Sequence, residues 1–501
     1  MSNNLHDTFL AVAARQPEKT AIHFGDDLIP YGIVRERALA VSAALRRDFG
    51  VKPGDRVALW LKNRPEFVPA MFGILHAGGV VLPVNNFFKA EEVAHLLADG
   101  DVEVLITEAA MQETLAEVSR LRPGLRLLLI EDLGSLAAAT AAETAAAPAR
   151  GRGDLALLLY TSGTTGRPKG AMLTHGNLLA NVASCRVVLE AAQVDRFVLM
   201  LPMFHTFMLT VCILLPLHVG AGIVLIRSLH PPKAMLGEIV RHGGSVLPAM
   251  AQVFRALSGL PPGLEIASLR LCISGAGPLP EEILRGFNTR FPDIALIEGY
   301  GLTEAAPVVS LNPVQGPWKV GSIGVPVTGV EISIRDDAGR ELPDGHDGEL
   351  WVRGDNVMAG YWRQPEASAA ALRDGWLLTG DLGRRDPDGY LRITDRKKDM
   401  LKVNGINVYP REIEEVLYRF PGVKEAAVVG RPDPKRLEAP VAFVAFEEGR
   451  AADGKALHAF LREHLADYKV PRDFRVLPAL PRNATGKILK TTLREMAKAE
   501  A

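Results

Sequence analysis

Eleven residues from Tyr160 to Gly170 carry the densest chemical signal in the chain: Tyr160-Thr161-Ser162-Gly163-Thr164-Thr165-Gly166-Arg167-Pro168-Lys169-Gly170. Three of them are glycines, and Thr161, Ser162, Thr164 and Thr165 add four hydroxyls. Glycines let backbone N–H groups close on an anion, and hydroxyls supply further donors. Lys169 adds a point charge suited to phosphate. The order differs from the G-x-x-x-x-G-K-[ST] nucleotide loop. A solvated turn would need only polar residues, not this concentration straight after an apolar strand. Elsewhere the isolated residues read more plainly. Thr303-Glu304 has the form of a helix start, with Thr303 as cap and Glu304 at the positive end of the dipole. Asp381 and Arg396 read alone as surface charges, Lys487 as an exposed lysine, His205 as a structural histidine, and Gly275-Ala276-Gly277 as a turn.

The elements that must hold these residues follow from periodicity. Val57–Leu61, Val80–Pro83, Val104–Thr107, Leu127–Ile130 and Leu155–Tyr160 read as strands, and Glu66–His76 and Glu91–Leu97 as helices between them. That alternation predicts an α/β domain with largely parallel sheet. Residues 133–154, rich in Ala and Thr, read as a surface connector with a short helix. Beyond Gly316 the texture becomes β-like, with strands at Val330–Ile334, Glu349–Arg353 and Tyr390–Ile393 separated by Asp/Gly turns. Pro410 is placed to start a helix. Ile413, Val416, Leu417 and Phe420 give that helix one apolar face. Leu457, Phe460, Leu461 and Leu465 mark another, with strands at Ala426–Val429 and Val441–Phe446 between the two. The reading is a large N-terminal unit over 1–395, itself of α/β subdomains and a β-rich one, and a small α+β domain over 396–501.

The chain has 501 residues, 48% of them hydrophobic and 23% charged, with a net charge of −1. Such a balance argues against a nucleic-acid coat or a polybasic membrane tether. Cys185, Cys212 and Cys272 are too few and too scattered for a disulfide framework or a zinc cluster, so a reducing, cytoplasmic setting is expected. The apolar stretch 207–226 contains Pro216, Gly220 and Gly222, and reads as a buried helix, a Pro/Gly break and a buried strand rather than a membrane span. Peripheral membrane contact to collect a lipid remains compatible with the sequence, and the oligomeric state, including a homodimer, stays open.

The Tyr160–Gly170 run resembles the phosphate-binding loop of the adenylate-forming superfamily, the acyl-CoA synthetases, adenylation domains and beetle luciferases. Further motifs follow in the family's order. They are Gly299-Tyr300-Gly301-Leu302-Thr303-Glu304, Leu378-Thr379-Gly380-Asp381, Asp395-Arg396-Lys397-Lys398-Asp399, the segment from Gly405 to Glu414, and Pro481-Arg482-Asn483-Ala484-Thr485-Gly486-Lys487. The resemblance implies a set of roles. Thr161, Ser162, Gly163, Thr164, Thr165, Gly166 and Lys169 would cradle ATP phosphates. Glu304 would hold Mg²⁺, a hard cation suited to carboxylate and phosphate oxygens, and Thr303 would touch the α-phosphate. Tyr300, with Gly301 beside it, would stack on adenine in a pocket lined by Gly275, Ala276 and Gly277. Asp381 and Arg396 would bind the ribose. Lys487 would bridge carboxylate and α-phosphate, because two anions must be brought together at a centre of growing charge. Lys398 would be the hinge about which the small domain rotates, withdrawing Lys487 and bringing Lys402 and Gly405 to a thiol. Asn404 replaces a frequent glycine, and Leu437 stands where Arg-Gly-Glu is common. The first concerns the thiol-side backbone, and the second lies outside the expected site.

Leu201-Pro202-Met203-Phe204-His205 resembles the acyl-pocket motif of acyl-CoA synthetases, so Phe204, His205, Phe207 and Gly299 are expected around the substrate. No acidic residue occurs from Arg196 to Gly237, which argues against an amino-acid substrate needing a partner for its ammonium. The expectation is an ATP- and Mg²⁺-dependent ligase joining a medium- to long-chain fatty acid to coenzyme A and releasing AMP and pyrophosphate. The alternatives are an aryl acid, transfer to a carrier protein, and, from a different class, a non-catalytic nucleotide sensor.

Overall fold

The apolar runs of the first half become the interiors of two sheets, in a computed structural model that describes residues 3–133, 146–161, 168–229, 232–260, 266–433, 436–450, 453–483 and 486–499. A six-stranded sheet has the order Arg126–Leu129, Val104–Thr107, Arg56–Trp60, Val80–Pro83, Leu155–Thr161, Lys169–Thr174. Its pairs are parallel except the last, an antiparallel hairpin in which Thr161 faces Lys169. Expected and observed strands here differ by at most one residue at an end. Buried on both faces, such strands need continuous apolar runs rather than alternation, and Val80–Pro83 and Val104–Thr107 are buried throughout. The expected connector falls partly on residues 134–145, outside the described residues.

A nine-stranded sheet lies beside it. Its parallel centre runs Ala295–Gly301, Leu271–Ser274, Val246–Ala249, Arg196–Leu199, Gly222–Leu225, Thr20–Phe24. Parallel strands deliver their following loops to one edge, where ligands of open α/β sheets bind. Four loops leave that edge here: 200–206 with His205, the Met250 turn, Gly275–Gly277, and Leu302–Ala306 with Thr303 and Glu304.

The stretch after Phe207 departs in detail from expectation. Met208–Leu214 is a π-helix that runs directly into the helix Leu215–Val219, so Pro216 does not break the run. The wider π turn sits where a proline ring would otherwise clash with the preceding turn. Gly220, at φ +79°, ends the helix, and the strand Gly222–Leu225 follows. Among the described residues no helix is long and apolar enough to cross a membrane.

An antiparallel five-stranded sheet follows, with Val330–Arg335, Gly348–Gly354, Trp376–Arg385, Leu372–Arg373 and Leu391–Arg396. The small C-terminal domain then has its own core. In the strand Val423–Asp433, Ala426 and Val428 face the helices Pro410–Tyr418 and Gly454–His464, while Ala427 and Val429 face Leu493 and Ala497 of the last helix. The period of two thus feeds two apolar layers from one strand. Ile413, Val416 and Leu417 form the expected helix face; Phe420 packs on it from just beyond the helix end.

Candidate active site

The cross-strand pair Asp381 and Arg396 is the floor of the cleft. Arg396 Nε lies 3.2 Å from Asp381 Oδ1, and the Tyr300 hydroxyl donates to Asp381 Oδ2 at 2.6 Å. Asp381 is held by its own strand turn, where Gly380 adopts φ +69° and Asp381 N–H donates to Thr379 Oγ1. A carboxylate offers about four lone-pair sites, so these two partners leave it free to accept from a vicinal diol. Burial, and then Asp381, raise the Tyr300 phenol well above its ordinary value, which keeps it a donor. Gly299 and Gly301 are required by close approach: a Cβ on Gly301 would lie 2.2 Å from the Pro307 carbonyl oxygen, and one on Gly299 would lie 2.6 Å from Leu311.

Thr303 and Glu304 do not begin an α-helix, as the sequence suggested. They sit in a three-residue 3₁₀ turn, Thr303–Ala305, capped by Leu302 and closed by Ala306 at φ +61°. The Thr303 hydroxyl instead receives a hydrogen bond from Thr206 at 3.0 Å, tying the turn to the 200–206 loop. Glu304 Oε1 accepts from the Tyr361 hydroxyl at 2.9 Å, and the Lys169 ammonium lies 5.2 Å above the same tyrosine ring. Among the described residues no ion pair neutralises Glu304. A carboxylate so placed fits a hard cation that takes its remaining ligands from phosphate and water. Of the expected phosphate loop, Thr161 and Lys169 are the paired strand ends; Ser162, Gly163, Thr164, Thr165 and Gly166 lie outside the described residues.

Across the cleft, Asn63 clamps the 201–203 backbone, donating to Leu201 O at 2.9 Å and accepting from Met203 N at 3.0 Å. His205 Nδ1 accepts from Phe207 N–H at 3.3 Å, which leaves its proton on Nε2. Burial and the neighbouring Lys487 push His205 down to about 4, so the ring is neutral near pH 7. Phe204 and Phe207 are buried, and the Phe207 ring would lie 3.1 Å from a Cβ on Gly275. Ala276 holds φ +63° and, with Gly277, is exposed along this wall.

Lys487 reaches this cleft from the small domain. Its loop is tied by mutual bonds with Asn483, and a Cβ on Gly486, at φ +80°, would meet the Met250 side chain of the large domain. By accessible surface Lys487 is exposed, as an open cleft requires. Protein is nonetheless dense around its ammonium. Burial first, then Arg396, lower it to about 8, with Asp381 opposing. A second cross-domain contact joins Arg411 to Glu298 at 3.8 Å; burial pushes Glu298 up to about 7 against that cation.

Of the other expected residues, Lys398 lies within electrostatic reach of Lys487, Arg396 and Asp381. Lys398 is exposed in the turn 397–399 linking Leu391–Arg396 to Leu401–Val403. Lys402 is exposed on that second strand, and no bond among the described residues ties its side chain to the cleft. Asn404 takes φ +54°, a conformation asparagine tolerates, so the glycine-like turn survives its replacement. Leu437 lies closer to this region than its sequence position implied. It pairs with Val403, and at φ +70° it occupies a glycine conformation with its side chain largely exposed. Beside it a pocket of about 450 Å³ is lined by Asn404, Arg436, His458, Arg462, Tyr468 and Arg472, with Asp467 and Val470.

The motif reading passed over Tyr361, Asn63, Thr206 and the pocket arginines. None stands in a repeated or glycine-marked pattern; only the aromatic pair Tyr361-Trp362 after Gly360 offered a signal.

Comparison with known proteins identifies the family. The AMP-binding enzyme family model matches residues 9–362, and the AMP-binding enzyme C-terminal domain model matches 412–487. A feruloyl-CoA synthase of Amycolatopsis sp is 38% identical over 486 residues, covering 96% of both chains. A long-chain-fatty-acid–CoA ligase of Bacillus subtilis (strain 168) is 36% identical, covering 96% of this chain and 92% of the relative. The crystal structure of an anthranilate CoA ligase in complex with anthranoyl-AMP superposes with a TM-score of 0.91 at 30% identity, covering 99% and 97% of the two chains.

Proposed function

The chain belongs to the AMP-binding enzyme family, and within it we propose that this cleft activates a hydrophobic carboxylic acid, best a flat aryl acid, for transfer to coenzyme A. The enzyme is an AMP-forming acid–thiol ligase that uses ATP, Mg²⁺ and coenzyme A. The observation that carries the site assignment is the presence of Lys487, from the small domain, beside Asp381 and His205 of the large one, with Arg396 at the boundary between them.

In the first half-reaction a carboxylate oxygen attacks the α-phosphorus. The new C–O–P bond forms as the bond to the β-phosphate oxygen breaks, and pyrophosphate leaves. Lys487 offsets the repulsion between the two anions. Asp381 accepts from the ribose hydroxyls with Arg396 beside it, and Tyr300 lies against adenine near Gly275, Ala276 and Gly277. Thr303 donates to the α-phosphate. Lys169 and the hydroxyls and glycines between it and Thr161 take the phosphate tail. Glu304 would hold Mg²⁺, which supplies charge neutralisation on the phosphates. In the second half-reaction the thiolate sulfur attacks the acyl carbon, a C–S bond forms, and AMP leaves with the oxygen.

For that step we place the domain boundary at Asp395/Arg396, with the turn carrying Lys398 as hinge. Rotation there would carry Lys487 out and Lys402 with Gly405 in. The pocket with Arg436, Arg462, Arg472 and His458 has the charge to take the phosphorylated nucleotide end of coenzyme A.

Two observations favour an aryl acid. The Phe207 ring stands against Gly275, and Met208–Leu214 that follow are buried, so a short flat acid needs less rearrangement here than a long tail would. The feruloyl-CoA synthase resemblance runs the same way. The fatty-acid reading expected from the apolar run retains the support of the long-chain ligase resemblance. Competition between a hydroxycinnamate, a benzoate, octanoate and palmitate decides. An aryl acid is expected to lead in kcat/KM by about tenfold or more, the scale of pocket discrimination; a fatty acid leading by that margin would reverse the assignment. We further propose a cytoplasmic setting.

A further inference from the structure

Glu304 and Lys169 sit on different elements, and neither forms an ion pair among the described residues, Arg396 acting on Glu304 only from a distance. Both meet one side chain. The Tyr361 hydroxyl donates to Glu304 Oε1 at 2.9 Å, and the face of its ring lies 5.2 Å below Lys169 Nζ.

The segment bearing Tyr361 is fastened to both sides. Met358 N–H donates to Glu304 O at 2.8 Å. Ala359 N–H donates to Met172 O, and Met172 N–H returns a bond to Gly360 O, both at 2.9 Å. Trp362 N–H donates to Gly170 O at 2.7 Å. The Tyr361 N–H donates to Ser368 Oγ at 2.8 Å, and the Trp362 indole donates to Asp99 O at 3.0 Å. Gly360, at φ +130°, has Ser368 Oγ 3.0 Å from where a Cβ would stand. The ring is therefore set by backbone that is itself fixed to the phosphate hairpin and to the Glu304 turn.

The chemistry of tyrosine suits this place. A phenol orients a carboxylate without cancelling its charge, where an arginine would cancel it. An aromatic face attracts an ammonium without cancelling its charge, where an aspartate would. Both ions stay available to a ligand, and both are aimed.

We propose that Tyr361 is a positioning residue that couples the Glu304 carboxylate to the Lys169 ammonium, so that divalent metal and the phosphate tail of ATP bind as one unit. This rests on the assignment of Glu304 to the metal and Lys169 to phosphate. Two consequences separate hydroxyl from ring. Losing the hydroxyl releases Glu304 and weakens the metal's contribution alone. Losing the ring also releases Lys169 and weakens nucleotide binding without metal.

The test is calorimetric titration of the full chain with α,β-methylene-ATP, whose α–β linkage resists adenylate formation, in Mg²⁺ and in EDTA. For Tyr361→Phe the gain in affinity on adding Mg²⁺ is expected to shrink by about tenfold, the size of a hydrogen bond to a charged group. Its affinity in EDTA and its melting temperature should match the parent. Tyr361→Leu should lose affinity in EDTA as well. A full Mg²⁺ gain in Tyr361→Phe, or parental EDTA affinity in Tyr361→Leu, overturns the coupling. Glu304→Gln in the same titration separates the two levels. If it abolishes the Mg²⁺ gain while Tyr361→Phe keeps it, the coupling alone fails. If Glu304→Gln keeps the gain, the metal assignment fails and takes the coupling with it.

Discussion

Lys487 and His205 face each other across the cleft with opposite needs. Desolvation disfavours charge on both, and the Lys487 cation lowers His205 further. His205, near 4, stays neutral with its proton on Nε2, while Lys487, near 8, keeps its charge at neutral pH. The charged lysine is the form that draws in ATP, and it is lost as pH rises. The kcat/KM for ATP, which reports free-enzyme groups, should therefore fall as pH rises through about 8. Lys487→Arg should move that limb out of the range, even if the rate is lower. A limb at the ordinary lysine value of 10.5, or one that Lys487→Arg leaves in place, would contradict the assignment. Residues inside ordered motifs are legible from sequence as candidates: the fold brings Asp381, Arg396, Tyr300 and Lys487 to one cleft. Thr303 does not cap an α-helix because Ala306, at φ +61°, stops the turn after three residues, a stop that Pro307 after it announces. Tyr361, an aromatic without a spacing partner, became legible only once Glu304 and Lys169 were seen on either side of it.

At the scale of elements, periodicity found the strands because continuous apolar runs and alternation leave different signatures. It missed the π-helix, since Met208–Leu214 is buried on every side and a run apolar but for Thr210 carries no period. It also missed how the first helix docks. His6 of Leu5–Arg15 packs at 5.6 Å between ring centroids from His76 and at 5.9 Å from His175, all three buried. His76 Nδ1 meets Ser42 Oγ at 2.9 Å, and His175 Nδ1 accepts from Leu5 N–H at 3.2 Å. The charges around them are Asp7 on the same helix, Arg46 near His76, and Arg150 and Asp154 on the connector. Burial pushes His6 down to about 4 and His175 to about 3, and lowers His76. The unfolded chain binds these protons near the ordinary 6.5, more readily than the fold does. Their contribution is thus complete above 6.5 and is lost as pH falls from there towards 4, by an amount on the order of a few kcal/mol. Urea midpoints measured across that range should drop steeply, and His175→Gln should flatten the drop. An unchanged slope in that variant would show that the cluster does not set it.

The whole molecule presents one arrangement of its large and small domains. Motif order gives the inventory of the cleft but not the angle between domains, because a short turn at 397–399 permits several. Here the arrangement is held by contacts that motif order does not specify: Arg411 to Glu298 at 3.8 Å, Arg255 to Glu447 at 3.5 Å, and Gly486 against Met250. Lys487 reaches the cleft and Lys402 does not, the arrangement that the proposed roles assign to adenylation. The account therefore separates the two half-reactions by residue, and a single-turnover experiment read by mass spectrometry tests that most directly. With ATP, Mg²⁺ and acid but no coenzyme A, the parent should form acyl-AMP, and added coenzyme A should convert it to the thioester. Lys487→Ala should form no acyl-AMP yet convert supplied acyl-AMP at close to the parental rate, while Lys398→Pro should show the reverse. Equal loss of both half-reactions in Lys487→Ala, or no acyl-AMP from the parent with any acid, would contradict the account.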